Sequence, residues 1–211
     1  MLDTENSYSG GQPLSRLSFE RPIPQAVRDN GWAIDPKILE PGDLILVSLD
    51  KPTWASRNII KYQSMMFPEE HSKWHHAAVS GGRYEICEAG ITGVRACEYW
   101  RYMTGEYQIK VRRLKGADKA ERYMIAYYAA INVKTSYGFL AALNIANFMR
   151  KGESWRRPII ASRGIICSQL YCEASMRLGY LIVNNPPGTV CPADLSMSPL
   201  LEDVSLSWVE V

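Results

Sequence analysis

The sequence has little of what disulfide-rich, metal-dependent and nucleic-acid-binding proteins require. Its five cysteines form an odd set without a Cys-x-x-Cys pair, which argues against a disulfide framework and for a reducing compartment or a short exposure to an oxidising one. The formal net charge of +2 is too small to indicate a nucleic-acid partner. The three histidines, at 71, 75 and 76, match no common zinc spacing with Cys87 or Cys97. We therefore expect no metal and no cofactor.

Long apolar runs are also missing. No run approaches the roughly 18 residues that a membrane-spanning helix needs, and the nearest, 138–148, is interrupted by Asn144 and Asn147. Residues 1–22 lack the basic and apolar regions of a signal peptide. We expect a protein without a transmembrane segment that is made in the cytoplasm. If it acted on cell-wall peptide, it would be exported by a route that is independent of signal peptides.

What is present is the composition of an ordinary globular protein. The chain has 211 residues, of which 46% are hydrophobic and 22% charged, enough for one domain with an extension. Residues 1–40 are polar and rich in proline and glycine, so we predict an N-terminal extension with little regular structure. Residues 41–211 are predicted to form the folded domain.

Patterning along the domain predicts strands first, then helices, then a closing strand. This order is typical of the α+β class. The predicted elements are an apolar strand after Pro41 and Gly42, a short helix around 55–66, a hairpin over 75–90 joined through Gly81 and Gly82, a strand at 107–114, a helix at 118–133 capped by Asp118, an apolar helix at 136–152, a helix from Cys167 to Gly179, and a final strand.

The helix that begins near Cys167 offers a candidate nucleophile. Its apolar positions lie on the same face as Cys167 and are Leu170, Tyr171, Ala174 and Leu178. Cys167 lies at the helix N-terminus, where unpaired N–H groups and the helix dipole favour a thiolate. Cys172 lies about 140° round the helix and has no such advantage. Because free cysteine is often simply buried, position alone leaves a packing role open.

A nucleophilic thiol also needs a base. Strand alternation places His76 on the same face as Ala78 and Ser80, with His75 on the other. In the following strand, Glu88 is flanked by apolar residues, which is unfavourable for a carboxylate without a partner. A carboxylate on a neighbouring strand could orient an imidazole. A core histidine and a salt-bridging glutamate are the alternative interpretation.

Six segments in order resemble the permuted papain-like cysteine hydrolases, most closely the YiiX-like branch of the NlpC-type superfamily. The segments are "PGDLILV" (41–47), "HHAAVSGG" (75–82), "YEICEAGITGV" (84–94), "KTSYGF" (134–139), "IICSQLYCEA" (165–174) and "CPADLSMSPLLEDV" (191–204). The likeness covers residues 41–211. It implies an antiparallel sheet packed against helices, with the catalytic cysteine at a helix N-terminus.

The resemblance also implies a catalytic triad in permuted order. It identifies Cys167 as the nucleophile, His76 as the base and Glu88 as the residue that orients the base. We further consider a substrate-binding role for four residues near these positions in the sequence. They are His75, Tyr137, Trp155 and Arg156, the last two in a basic cluster with Arg150, Lys151 and Arg157 that could hold an anionic group or be a solvated loop.

The expected reaction is hydrolysis of an amide bond through a thioester, with a peptide, possibly a cell-wall peptide, as substrate. Lipid esterase or acyltransferase chemistry on the same fold is an alternative. Related lipid enzymes carry an Asn-Cys-Glu-His type of motif, whereas this chain has Ile-Cys-Ser-Gln at 166–169. The face of Phe139, Leu140 and Leu143 is expected to pack into the core, leaving a polar cleft. A catalytically inactive binding module is the other alternative.

Overall fold

The computed structural model describes residues 21–138, 142, 145 and 164–211. They form a mixed α+β structure in which an antiparallel sheet packs against helices, as the order of the predicted elements indicates. The strands are β1 (Trp32–Ile34), β2 (Leu44–Leu49), β3 (His76–Gly82), β4 (Glu85–Gly90), β5 (Gly93–Glu98), β6 (Tyr107–Leu114), β7 (Leu201–Asp203) and β8 (Trp208–Glu210). The helices are α1 (Gln25–Asn30), α2 (Trp54–Gln63), α3 (Glu69–Ser72), α4 (Lys119–Ile131), α5 (Cys167–Arg177) and α6 (Pro192–Met197).

Six strands form the main sheet in the order β5-β4-β3-β2-β6-β7, with every neighbouring pair antiparallel. β2 is a continuous apolar run because both of its faces are covered. Leu44 and Leu46 pack with α4 and α5 on one face, whereas Ile45 and Val47 belong to the core on the other face. The sheet therefore separates two apolar layers.

Local sequence signals predict several elements correctly. The strand at 107–114 is β6, with the predicted bounds. Asp118 caps α4, accepting a hydrogen bond from the Glu121 N–H while the Glu121 side chain accepts one from the Asp118 N–H. The helix predicted from Cys167 is α5, and Gly179 follows its end with a φ of +87°. The strand β5 and the helix α6 were not predicted.

The prediction of little regular structure over 1–40 is wrong for residues 25–34. This segment contains α1 and β1, and β1 pairs with β8 at the other end of the chain. Val27, Ala33 and Ile34 are buried. Their apolar spacing is too short to stand out among polar, proline-rich and glycine-rich residues, and only the distant partner strand makes β1 favourable. Residues 1–20 lie outside the described part of the chain.

Two smaller predictions also need correction. The 75–90 hairpin turns at Arg83 and Tyr84, with Arg83 at a φ of +48°, while Gly81 and Gly82 lie in a bulged end of β3. The helix predicted over 136–152 does not start at 136, because Tyr137 forms a parallel bridge with Ile165. Residues 142 and 145 are helical, whereas residues 139–141, 143–144 and 146–152 lie outside the described residues.

Candidate active site

Cys167 is the first residue of α5 and is buried. The chain reaches it through Ile165, whose N–H donates to the Ser136 carbonyl and whose carbonyl accepts from the Gly138 N–H. This short parallel contact brings the two backbones very close at Gly138 and Gly164. A Cβ on Gly138 would lie 2.7 Å from the Gly164 carbonyl oxygen. The start of α5 is therefore positioned by a backbone contact that requires glycine.

The close backbone contact at Gly164 predicts the effect of adding a side chain at this position. A methyl group there would overlap the backbone of Tyr137 and Gly138, which cannot move aside as a flexible side chain could. We expect Gly164→Ala to destabilise the protein by about 1–3 kcal/mol and to lower the reactivity of the Cys167 thiol. Chemical denaturation and thiol alkylation measure the two effects. Gly90→Ala is the matched control, since nothing lies within 4 Å of its Cβ position, and the same loss in both variants would contradict the explanation.

His76, the first residue of β3, lies between Cys167 and Glu88. Its Nε2 is 2.9 Å from the Oε2 of Glu88, and its imidazole interacts with the Cys167 thiol closely enough for that contact to raise the pKa of His76. Strand register explains the carboxylate contact: Glu88 of β4 pairs with Ala78, so it lies on the same face as Ala78 and His76. The structure thus brings together the three residues that the sequence singles out.

Glu88 is 1% exposed and is held by four side chains. Its Oε2 accepts hydrogen bonds from His76 and from the Tyr102 hydroxyl. Its Oε1 accepts from the Arg95 Nε at 2.8 Å and from the Arg101 Nη1. All of these partners are donors, so the carboxylate is the form that the surroundings favour. The side chain is therefore a fixed negative charge behind the imidazole ring.

The protonation states follow from these contacts. Burial alone would lower the pKa of His76, but the hydrogen bonds to Cys167 and Glu88 raise it to about 9. Burial would raise the pKa of Glu88, yet the hydrogen bond from His76 and the charge of Arg101 bring it well below the usual range. The three groups therefore favour an imidazolium beside a carboxylate at neutral pH.

The Cys167 sulfur has its own set of donors. Burial opposes ionisation, but the hydrogen bond and charge of His76, with the backbone N–H groups of Ala77 and Ser168, lower the pKa of the Cys167 thiol. The Ser168 N–H belongs to the first turn of α5, where helix N–H groups have no partner within the helix. The geometry favours a thiolate that is paired with the His76 imidazolium.

His75 occupies a different environment from His76. Its side chain is buried, and its Nε2 has no hydrogen-bond partner. Burial and the neighbouring His76 charge lower the pKa of His75 to about 4, so it is neutral. Of the two neighbouring histidines it is therefore His76, and not His75, that interacts with Cys167. The third histidine, His71, hydrogen-bonds Ser196 and is not part of this cluster.

Tyr137 also lies at the site. Burial and the neighbouring Cys167 charge raise the pKa of its hydroxyl, so the hydroxyl stays protonated. Trp155 and Arg156, the other two candidate substrate-binding residues, lie outside the described residues, as do Arg150, Lys151 and Arg157. Phe139, Leu140 and Leu143 are outside them too. Tyr137 and His75 are thus the only two of the four that can be placed among the residues described.

Three of the other cysteines, Cys87, Cys97 and Cys172, differ from Cys167 in that their thiol pKa is raised. All five are free. Burial raises the pKa of Cys172 to about 12 and that of Cys87 to about 11. Burial also raises the pKa of Cys97, although Arg101 lies beside it. Among the described residues, no group of three or more histidine, cysteine or acidic side chains is arranged to hold a metal ion.

Sequence reasoning missed three residues around Glu88. Arg95 lies directly opposite Glu88 because β4 and β5 form a hairpin with Gly90 paired to Gly93. The short turn between Gly90 and Gly93 is a signal that could have predicted the Glu88–Arg95 pair, because the length of a hairpin turn determines which residues lie opposite each other on the two strands. Arg101 and Tyr102 belong to a 3-10 segment, Tyr99–Tyr102, that has no periodicity to mark it. Their contacts with Glu88 arise only from tertiary packing.

No helix in the described part of the chain is both long and apolar enough to cross a bilayer.

Comparison with known proteins does not assign the chain to a family. A scan against models of known protein families found no match, and neither did a search of curated proteins.

Proposed function

We propose that the protein is a cysteine hydrolase of the permuted papain-like type that cleaves an amide bond, with Cys167 as nucleophile, His76 as acid and base, and Glu88 as the residue that orients His76. One observation carries the proposal: His76 Nε2 is 2.9 Å from the buried Glu88 carboxylate, and the same imidazole lies close enough to the Cys167 thiol for each to shift the pKa of the other. Nucleophile, base and orienting group are the three parts that this chemistry needs.

The reaction starts from the thiolate and the imidazolium. The Cys167 sulfur attacks the carbonyl carbon, a C–S bond forms, and the carbonyl π electrons move to the oxygen. The oxyanion is stabilised by backbone N–H groups at the start of α5, that of Cys167 among them. As the C–N bond breaks, His76 gives its proton to the departing nitrogen. The products of this half-reaction are an amine and a thioester on Cys167.

Water completes the cycle. His76, now neutral, removes a proton from water as the oxygen attacks the thioester carbon. The C–S bond breaks, the sulfur leaves as thiolate, and the carboxylic acid product departs. Glu88 stays ionised throughout and stabilises each imidazolium state, because its four donors favour the carboxylate.

The charge state of His76 suits an amide substrate. An amine is a poor leaving group unless it is protonated, whereas an alkoxide departs more readily. With a pKa of about 9, His76 retains its proton at neutral pH and is available as the acid. A peptide or another amide-containing chain is therefore the substrate class that we propose.

Competitive thiol labelling tests the proposal without a known substrate. We expect iodoacetamide to modify Cys167 at least about tenfold faster than Cys97 at neutral pH, since the thiolate is the nucleophile. Cys97 is the most informative comparison because it is more exposed than Cys167. If accessibility alone controlled the labelling rate, Cys97 would react faster than Cys167. Peptide mass spectrometry identifies the modified residue.

The pH dependence provides the control. Lowering the pH from about 8 to about 6 should reduce labelling of an ordinary thiol about 100-fold. Labelling of Cys167 should change much less, because its pKa is lowered and His76 remains charged over this range. Labelling of Cys167 that falls in parallel with Cys97 would contradict the thiolate–imidazolium pair and with it the proposed function.

A further inference from the structure

The outward side of α4 is apolar although it faces solvent. We call this surface the α4 outer face, and its members are Ala120, Tyr123, Met124, Tyr127, Ala130 and Ile131. The four large side chains are exposed by 51% (Tyr123), 50% (Met124), 59% (Tyr127) and 58% (Ile131). An exposed apolar strip of this size on one helix indicates an interaction surface.

The α4 outer face contributes little to the fold. The buried residues of α4 are Ile125, Tyr128 and Ala129, which pack against α5 and the sheet. The exposed residues lie at i, i+1, i+4 and i+8 on the opposite side. An ordinary surface helix would carry polar residues there, so the fold does not explain this pattern.

Charge distinguishes between occupants of the face. Lys119 lies at one end, with its Nζ 6.0 Å from the centre of the Tyr123 ring, and Lys134 is exposed just beyond the other end. Two acidic residues, Asp118 and Glu121, lie at the start of α4. They hydrogen-bond each other's backbone N–H in the capping box, and Glu121 also accepts a hydrogen bond from the Tyr180 hydroxyl. The outer face is therefore apolar with a cation at each end.

This charge pattern disfavours a second copy of the chain. In a parallel helix pair Lys119 would approach its own equivalent, and in an antiparallel pair it would approach Lys134. Either arrangement places like charges together. A membrane with anionic head groups instead matches the apolar centre and both cationic ends, and tyrosine is a side chain suited to the boundary between lipid and water.

We propose that the α4 outer face binds an anionic lipid surface. The location relative to the site gives this binding a consequence. α4 runs antiparallel to α5, as hydrogen bonds from Tyr180 to Glu121 and from Tyr128 to Glu173 indicate. The Ile131 end of α4 therefore lies toward the end of α5 that carries Cys167.

The chain also links this end of α4 to the site. After Ile131 it bonds to β5 through Val94 and Thr135, then reaches Tyr137 beside Cys167. The neighbouring turn between β4 and β5 exposes another apolar side chain, Ile91, which is 89% exposed. Lipid binding at this end would bring the site close to the membrane. The inference concerns where the protein acts and does not depend on the proposed reaction.

Vesicle co-sedimentation tests the inference with the full chain. We expect binding to vesicles of equal parts phosphatidylglycerol and phosphatidylcholine, and at least about tenfold weaker binding to phosphatidylcholine alone. The double variant Tyr127→Ser, Ile131→Ser should lose about tenfold or more of the affinity for the anionic vesicles. Lys119→Glu should reduce it by about fivefold or more.

Met197 provides the matched control. It is 47% exposed on α6, next to β7 at the opposite edge of the sheet from β4 and β5. Met197→Ser should leave vesicle binding unchanged, whereas Met124→Ser should weaken it. Absence of binding by the wild type, or equal weakening by both methionine variants, would overturn the inference. So would a wild-type dimer in sedimentation equilibrium that the double variant converts to monomer, since the face would then bind a second copy.

Discussion

Replacement of Cys167 with alanine is expected to abolish hydrolysis while leaving the fold intact. In the proposed reaction the thiol forms the thioester, so its loss removes the covalent route, and we expect activity on fluorogenic peptide amides to fall by on the order of 10⁴-fold or more. The exposed area of Cys167 is small and the change removes one sulfur atom. Unfolding by denaturant should therefore shift only modestly, by about 1 kcal/mol, for the loss of one buried atom and its contact with His76. Mass spectrometry of substrate-treated protein should detect an acyl adduct only when Cys167 is present.

Cys172→Ala is the control for this experiment. Cys172 lies on the same helix, is buried like Cys167, and has a pKa raised to about 12 by its burial. Its replacement removes the same atom from a comparable environment without affecting the site. We expect activity within about twofold of the wild type. If both variants lost activity equally, the loss would come from packing of α5, and Cys167 would not be the nucleophile.

Glu88→Gln is expected to produce the largest loss of stability among these changes. The carboxylate is buried and interacts with Arg95, Arg101, Tyr102 and His76. Removal of one partner from a buried ionic group costs about 3–5 kcal/mol. Because Arg95 and Arg101 are partly exposed and can turn toward water, we expect a smaller loss than this, about 2–3 kcal/mol. Urea denaturation measures the free energy of unfolding.

The same variant should change the pH behaviour of the site. Without the carboxylate, the pKa of His76 should fall from about 9 toward its usual 6.5, which the pH dependence of Cys167 alkylation reports. Glu202→Gln, an exposed change on β7, is the control and should alter neither stability nor alkylation. A Glu88→Gln protein with an unchanged alkylation profile would exclude Glu88 as the group that orients and charges His76.

Stability as a function of pH should follow from the same two groups. Glu88 has a folded pKa below its usual 4.5, so its contribution is fully present above pH 4.5 and is lost as the pH falls below that value. His76 has a folded pKa above its usual 6.5, so its contribution is fully present below pH 6.5 and is lost as the pH rises through about 9. We expect the stability advantage of the wild type over Glu88→Gln to be greatest between these limits and to shrink in acid.

Several features of this site could be predicted from the sequence because they depend on local patterns. Helical spacing and a glycine stop place Cys167 at the start of α5. Strand alternation predicts that His75 and His76 point to opposite faces, although which of them meets Cys167 depends on tertiary packing. An acidic residue in an apolar strand indicates a buried partner, and Glu88 has four. These signals each involve residues within one helix or one strand.

Tertiary structure alone decided the features that join distant parts of the chain. β1 is stable because it pairs with β8, and no pattern within three residues can predict a partner that far away. Arg101 and Tyr102 reach Glu88 from a segment without periodicity. The distance between Cys167 and His76 depends on the packing of α5 across β3, including the backbone contact at Gly164. The sequence by itself determined which side chains could act as a thiol nucleophile, a base or a carboxylate, because that chemistry belongs to the residue type. The distances between these side chains depend on how the sheet and the helices pack.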